Sequence, residues 1–377
     1  MSIRLLPALC VLSFCLFRCS SSTSTAPAAA PPAPTLQSVY ADNFVVGAAL
    51  GVKHVNGEDT AGQALVAREF STITPENMMK WEEINPARGV YNWENPDAYV
   101  QFGENNDMFV VGHALVWYLQ LSEYVKEVKD PDTMRAVLKE HIDAVAGRYK
   151  GRIDGWDVLN EAIDDAGEGA LREWSVPDVL GPDYVTEVFM MAREAAPDAE
   201  LYYNDYNAWQ PKKRAGMIRL LERALANGAP IDGVGIQGHY SLDSPTLGEI
   251  EAAINDFAEL GLPIMFTEVD VNVLPNPYNN LTADPRISFE NTPFMNPYPD
   301  PASLPDSIQT ALADRYEDLF KLFLKHDDKI TRVTFWGVND GHSWLNGWPV
   351  KGRTNHPLLL DRENRKKPAY ERVMSLR

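Results

Sequence analysis

Apolar and polar positions alternate along this chain on two length scales. Short apolar runs have the character of strands: FVVGAAL from Phe44, STITPEN from Ser71, MFVVGHALVW from Met108, GWDVLNEA from Gly155, ELYYNDYN from Glu200, GVGIQGHY from Gly233, LPIMFTEVDV from Leu262 and RVTFWGVND from Arg332. Between them lie longer stretches such as PDTMRAVLKEHIDAVAGRY from Pro131, DYVTEVFMMAREAA from Asp183, KKRAGMIRLLERALANG from Lys212 and GEIEAAINDFAELG from Gly248. Their apolar residues return every three or four positions, which predicts helices, and glycines such as Gly228 and Gly261 stop them. Strands that are apolar throughout are buried on both faces. Eight strand–helix alternations therefore predict an α/β fold, a single (β/α)8 barrel. A doubly wound open sheet is the alternative, but no GxGxxG follows the first strand.

Polar residues fall at the carboxyl ends of these strands: Glu76 and Asn77, His113 and Trp117, Asn160 and Glu161, Asn204 and Asp205, Gln237 and His239, Glu268 and Asp270, Trp336 and Asn339. A barrel gathers those ends on one face, where active sites form. One such residue is an ordinary strand cap. Seven strands ending alike indicate a site.

Within that site Glu161 and Glu268 each close an apolar strand, at the rim of a core where desolvation makes a carboxyl tunable. Two carboxyls across an aromatic rim suit glycoside hydrolysis, in which one protonates the departing oxygen and the other attacks or activates water. Glu161 precedes the polar loop IDDAGEG and is the better proton donor; Glu268 lies in a tighter strand, with Asp270 on the same face, and is the better nucleophile.

Charge and cysteine usage narrow the setting. Lysines and arginines number 34 against 53 acidic residues, a formal net charge of −19, which repels nucleic acid and anionic lipid. All three cysteines, Cys10, Cys15 and Cys19, lie at the start, so no disulfide framework is expected. Residues 1–19 read as a secretory signal and 20–38 as a Ser/Ala/Pro linker, leaving 39–377 as the catalytic barrel. Cys19 directly before the linker also fits a lipid-anchored bacterial export signal. The expectation is an exported monomer, secreted, periplasmic or anchored at the cell surface, with no membrane span.

The runs TPENMMKWE, GHALVW, WDVLNEAIDD, YNDYN, GIQGHY, PIMFTEVDV and TFWGVNDGHSWLNGWP resemble, in order, the motifs of glycoside hydrolase family 10, the endo-β-1,4-xylanases. The resemblance covers about Val39 to Arg377. It implies a retaining mechanism on xylan with Glu161 as acid/base and Glu268 as nucleophile, Asn160 on the sugar 2-hydroxyl, and His239, supported by Asp270, orienting the nucleophile. By the same resemblance Glu76, Asn77, Lys80, His113, Trp117, Gln120, Gln237, Trp336 and Trp344 line the glycone subsites, and Asn204 and Tyr206 join the substrate-binding set.

The chain departs from that pattern at Tyr118, where histidine is usual, and in LSEYV, where Tyr124 replaces tryptophan. Both changes bear on sugar placement near the cleavage point. The proline- and asparagine-rich segment from Asn272 to Asp306 is long enough to be functional, and is expected to rim the leaving-group side of the cleft. No metal site or cofactor is expected, because no clustered ligand spacing is evident. A metal-dependent barrel hydrolase would need more histidines, often paired on the first strand, which has none. A silent carbohydrate-binding protein would lack one of the two carboxylates.

Overall fold

The computed structural model describes residues 33–277, 287–300, 302 and 304–377. The expected signal, its cysteines and most of the expected linker lie outside the described residues, as does the middle of the 272–306 segment. Nine parallel-paired strands run as β1 Val45–Leu50, β2 Thr72–Pro75, β3 Phe109–Trp117, β4 Gly155–Asn160, β5 Glu200–Asp205, β6 Gly233–Ile236, β7 His239–Ser241, β8 Ile264–Asn272 and β9 Ile330–Phe335. Each strand from β1 to β5 pairs with its successor, β6 pairs with β8, β8 with β9, and β9 returns to β1. The sheet closes on itself as the predicted (β/α)8 barrel. One run differs from expectation: GVGIQGHY is broken into β6 and β7 at Gly238, whose φ of 84° leaves the extended region. The short β7 then pairs with the end of β8, bringing His239 opposite Asp270.

The four helices singled out in the sequence form at Pro131–Arg148, Tyr184–Ala195, Pro211–Ala226 and Leu247–Ala258. Three more complete the shell, at Thr60–Glu69, Glu94–Asn105 and Asp306–Lys325. Their starts carry side-chain caps where the chemistry allows: Asp59 on Gly62 N–H, Asp130 on Thr133 N–H, and Thr246 with Glu249 in a reciprocal box. The packed chain begins inside the stretch expected to be linker. Thr35 caps a short turn of helix, Leu36 is fully buried and donates its N–H to Glu69 Oε2 at 3.1 Å, and the Tyr40 hydroxyl reaches Val373 O near the other end of the chain.

Between barrel and helices the core is aromatic. Phe266 meets Phe323 at 4.3 Å between ring centres, and the Tyr99 hydroxyl, within bonding distance of the carbonyls of both Ile73 and Val111, shares its one proton between them and ties its helix to β2 and β3. The Trp156 ring lies flat on β3 where Gly112 has no side chain; a Cβ there would sit 2.2 Å from the indole. Gly112→Ala is therefore expected to lower stability by about 1–3 kcal/mol, the usual cost of overpacking, read as a fall in denaturant midpoint at unchanged slope. A wild-type midpoint would mean that Trp156 can move aside.

Candidate active site

The carboxyl ends of the strands surround an open cleft with a cavity of about 270 Å³. It is lined by Glu76, Asn77, Lys80, His113, Trp117, Gln120, Asn160, Glu161, Gln237, His239, Glu268, Trp336 and Trp344, all anticipated from sequence, together with Gly347 and Trp348, which were not singled out. Trp348 stacks on Trp344 with ring centres 4.6 Å apart, extending the aromatic wall.

Glu161 follows β4 with a left-handed backbone, φ 59°. Its N–H donates to Asn204 O at 2.8 Å, and its own carbonyl accepts from Arg172 Nε at 3.0 Å. The turn aims the carboxyl inward, where Oε2 accepts from Trp117 Nε1 at 2.7 Å and Oε1 from Gln237 Nε2 at 2.8 Å and Asn160 Nδ2 at 3.2 Å. Glu268, near the end of β8, accepts from Asn204 Nδ2 at 2.8 Å and lies 3.1 Å from His239 Nε2. The other ring nitrogen of His239 lies 3.0 Å from Asp270 Oδ1, and Trp344 Nε1 donates to Asp270 Oδ2 at 2.7 Å.

The two carboxyls are equally enclosed, yet their surroundings drive them apart. Burial raises the pKa of Glu161 to about 7, with the nearby charge of Asp205 adding to the rise and the Gln237 and Trp117 donors only partly opposing it. Burial acts on Glu268 in the same direction, but the hydrogen bond and charge of His239, with help from His113 and Asn204, outweigh it and hold the carboxyl below its ordinary range. For His239 burial favours the neutral ring; Asp270 and Glu268 overcome that and raise its pKa to about 10. A ring with an acceptor-only carboxylate at each nitrogen must be doubly protonated. Beside them Lys80 donates to Asn77 and lies 4.7 Å over the Trp117 ring, its pKa lowered by burial while that of Glu76 is raised by the same cause.

Two residues expected to touch substrate sit elsewhere. Asn204 is fully buried and commits its amide to Asn160 Oδ1 and Glu268 Oε1, while its own oxygen accepts from Thr267, so it supports the carboxyls from behind. Tyr206 is also buried, its hydroxyl on Asp165 and its ring 3.5 Å below Lys213 Nζ. Tyr206 belongs to a charged layer with Arg172, Asp165, Lys213 and Asp205. That layer was missed; the only signal for it was Asp205 inside YNDYN.

The unusual tyrosines also resolve. Tyr124 turns away from the cleft, donating to Asn85 and accepting from Trp81 Nε1. Tyr118 lies under the Arg172 guanidinium, 4.1 Å from ring centre, and lines a neighbouring cavity of about 600 Å³ that shares Gln120 with the cleft. Through Arg172 it bears on the carbonyl of Glu161. The described part of the 272–306 segment packs against the stretch that follows Trp348. Phe289 N–H donates to Pro349 O, Asn291 Nδ2 to Gly352 O, and Thr354 N–H to Asn296 Oδ1.

A neutral carboxyl facing an ionised one, in an aromatic cleft at the carboxyl-end face of a (β/α)8 barrel, is the equipment of a glycoside hydrolase. The chain belongs to glycosyl hydrolase family 10, whose family model matches residues 35–376. Endo-1,4-beta-xylanase A of Xylanibacter ruminicola is 40% identical over 348 residues, covering 91% of this chain and 93% of that protein. A beta-1,4-xylanase of Dictyoglomus thermophilum is 38% identical, covering 90% of each. Among solved structures, a family 10 endoxylanase from a sugarcane soil metagenome superposes with a TM-score of 0.87 at 42% identity, covering 91% of this chain and all of that one.

The charge states set the pH profile. A general acid works while protonated, so kcat/KM on an unactivated glycan is expected to fall as pH rises through about 7, the Glu161 value. The acidic limb should begin only below the ordinary glutamate range, where Glu268 loses its charge. Steady-state rates from about pH 2.5 to 9 test both limbs; a flat profile through pH 8 would contradict the raised acid.

Proposed function

We propose that this protein hydrolyses internal β-1,4-xylosidic bonds of xylan by double displacement, with Glu161 as acid and then base and Glu268 as nucleophile. The observation that carries the reading is the opposite tuning of two equally buried carboxyls. In the first step a Glu268 oxygen bonds to the anomeric carbon as the glycosidic bond breaks, and the Glu161 proton passes to the departing oxygen. Forming the ester removes the Glu268 charge, one of the influences that raises Glu161. Glu161 then becomes the stronger acid, and its carboxylate is ready to take a proton from water. That water attacks the same carbon, Glu268 leaves, and the anomeric configuration is retained.

Asn160 uses one amide proton on Glu161 and has the other for the sugar 2-hydroxyl, a contact worth several kcal/mol in the oxocarbenium-like transition state. His239, held by Asp270, keeps Glu268 charged and oriented. Lys80, Trp336 and Trp344 crowd the place where a hexose carries its 6-hydroxymethyl group, which favours xylan over cellulose. The relatives above support this substrate by name.

Glu268→Ala is expected to abolish turnover of every substrate, because the ester cannot form. Glu161→Ala should behave differently: an activated aryl glycoside still glycosylates Glu268, azide restores turnover as a β-glycosyl azide, and xylan stays almost uncleaved. NMR of the first anomer released by the wild type decides the stereochemistry, since initial α-anomer from a β-linked substrate means inversion. Equal kcat/KM on xylan and cellulose would refute the substrate assignment.

We also propose that residues 1–19 direct export, either to a secreted or periplasmic form or to a lipid anchor at Cys19, and that the catalytic unit acts as a monomer. Among the described residues no helix is long and apolar enough to cross a membrane, and large exposed apolar residues such as Met190 and Phe294 are scattered. Expressed in a bacterial host, an anchored wild type partitions into detergent and Cys19→Ser into water. Both in the aqueous phase would leave simple secretion.

A further inference from the structure

Two of the seven histidines meet beside the cleft although 288 positions separate them. His54 lies in the turn after β1 and His342 in the turn after β9, the strands whose pairing closes the barrel. Asp59, the cap of the next helix, joins them. His54 Nε2 is 3.2 Å from His342 Nδ1 and 3.8 Å from Asp59 Oδ2, which is 3.5 Å from His342 Nε2. Ligand atoms on a tetrahedral ion with bonds of ~2.0–2.1 Å stand roughly 3.4 Å apart; one ligand atom from each of the three residues lies within 4.8 Å of the other two, with a different His342 nitrogen nearest each neighbour, so a turn of the His342 ring would close three corners of such a shell.

The surroundings hold these groups in place. Asp59 Oδ1 accepts the Gly62 N–H at 2.8 Å, which turns Oδ2 toward the histidines. No hydrogen bond reaches Oδ2 among the described residues, since both ring nitrogens stand beyond good bonding distance. His54 Nδ1 lies 3.3 Å from Gly51 O, so a proton on Nδ1 leaves Nε2 facing inward as a donor of its lone pair. Gly62 keeps the space open: a Cβ there would stand 2.4 Å from Asp59 Oδ2 and 2.9 Å from the His54 ring.

We propose that His54, Asp59 and His342 form a three-ligand site for a zinc-class divalent ion, with water at the fourth corner, which clasps the turn after β1 to the turn after β9. Two imidazoles and one carboxylate suit zinc or cobalt and not calcium, which requires a mostly oxygen shell. The rival arrangement is a plain hydrogen-bond chain that uses the other His54 tautomer, with Gly51 N–H donating to Nδ1 at 3.1 Å and Nε2–H donating to His342 Nδ1.

The test is cobalt and zinc titration of untagged, chelator-treated enzyme, beside Asp59→Asn and His342→Gln. Asp59→Asn keeps the helix cap, and His239→Asn reports any ion held in the cleft instead. The wild type and His239→Asn are expected to take up one cobalt per chain, with the strong visible absorption of a tetrahedral site that zinc abolishes. Their Tm should rise with zinc and not with calcium, while Asp59→Asn and His342→Gln lose both responses. Absence of the absorption and of the Tm shift in the wild type, or their persistence in both site variants, would overturn the proposal in favour of the hydrogen-bond chain.

Discussion

A buried carboxylate keeps its charge only if its neighbours supply what water would have supplied, and the cleft is organised around meeting that condition at Glu268 and refusing it at Glu161. His239 meets it. Lodged between Glu268 and Asp270, the imidazolium is fixed by a carboxylate at each nitrogen, and the Trp344 indole pins the far oxygen of Asp270. Losing that charge would leave a second neutral acid opposite Glu161 and nothing to attack. Asn204 links the two centres, since one amide donates both to Glu268 and to Asn160, which in turn donates to Glu161.

The barrel delivers this arrangement because three separate strand ends converge. β4 brings Asn160 and Glu161, β5 brings Asn204, and β8 brings Glu268 and Asp270. Parallel pairing of β4 with β5 sets Asn160 beside Asn204. The break at Gly238 matters equally, because an unbroken strand would not place His239 against Asp270.

Much of this was legible in the chain. Continuous apolar strands that end in polar residues identify both the barrel and its active face, and Glu161 and Glu268 stand among those terminal residues. What escaped depended on side chains meeting across the fold. Nothing local distinguishes Asn204, a buried brace, from Asn160, which faces the cleft. Arg172 lies in a loop with no motif, and its role appears only once its guanidinium bonds to Glu161 O and covers Tyr118. His54, Asp59 and His342 carry no spacing signal, because the closure of β1 on β9 is what joins them.

The left-handed backbone at Glu161 has a consequence for how this enzyme responds to change. A residue with a Cβ in that region carries a penalty of order 1 kcal/mol or more, and here the carboxyl is also enclosed away from water. The acid site is thus a reservoir of strain that the rest of the barrel tolerates for the sake of reactivity. A variant with glycine or asparagine at position 161 relieves both burdens, so an inactive protein will tend to melt later than the active one. Screens that rank variants of this enzyme by heat resistance alone will drift toward losing the acid. Fitness in such a library has to be read on turnover and melting together.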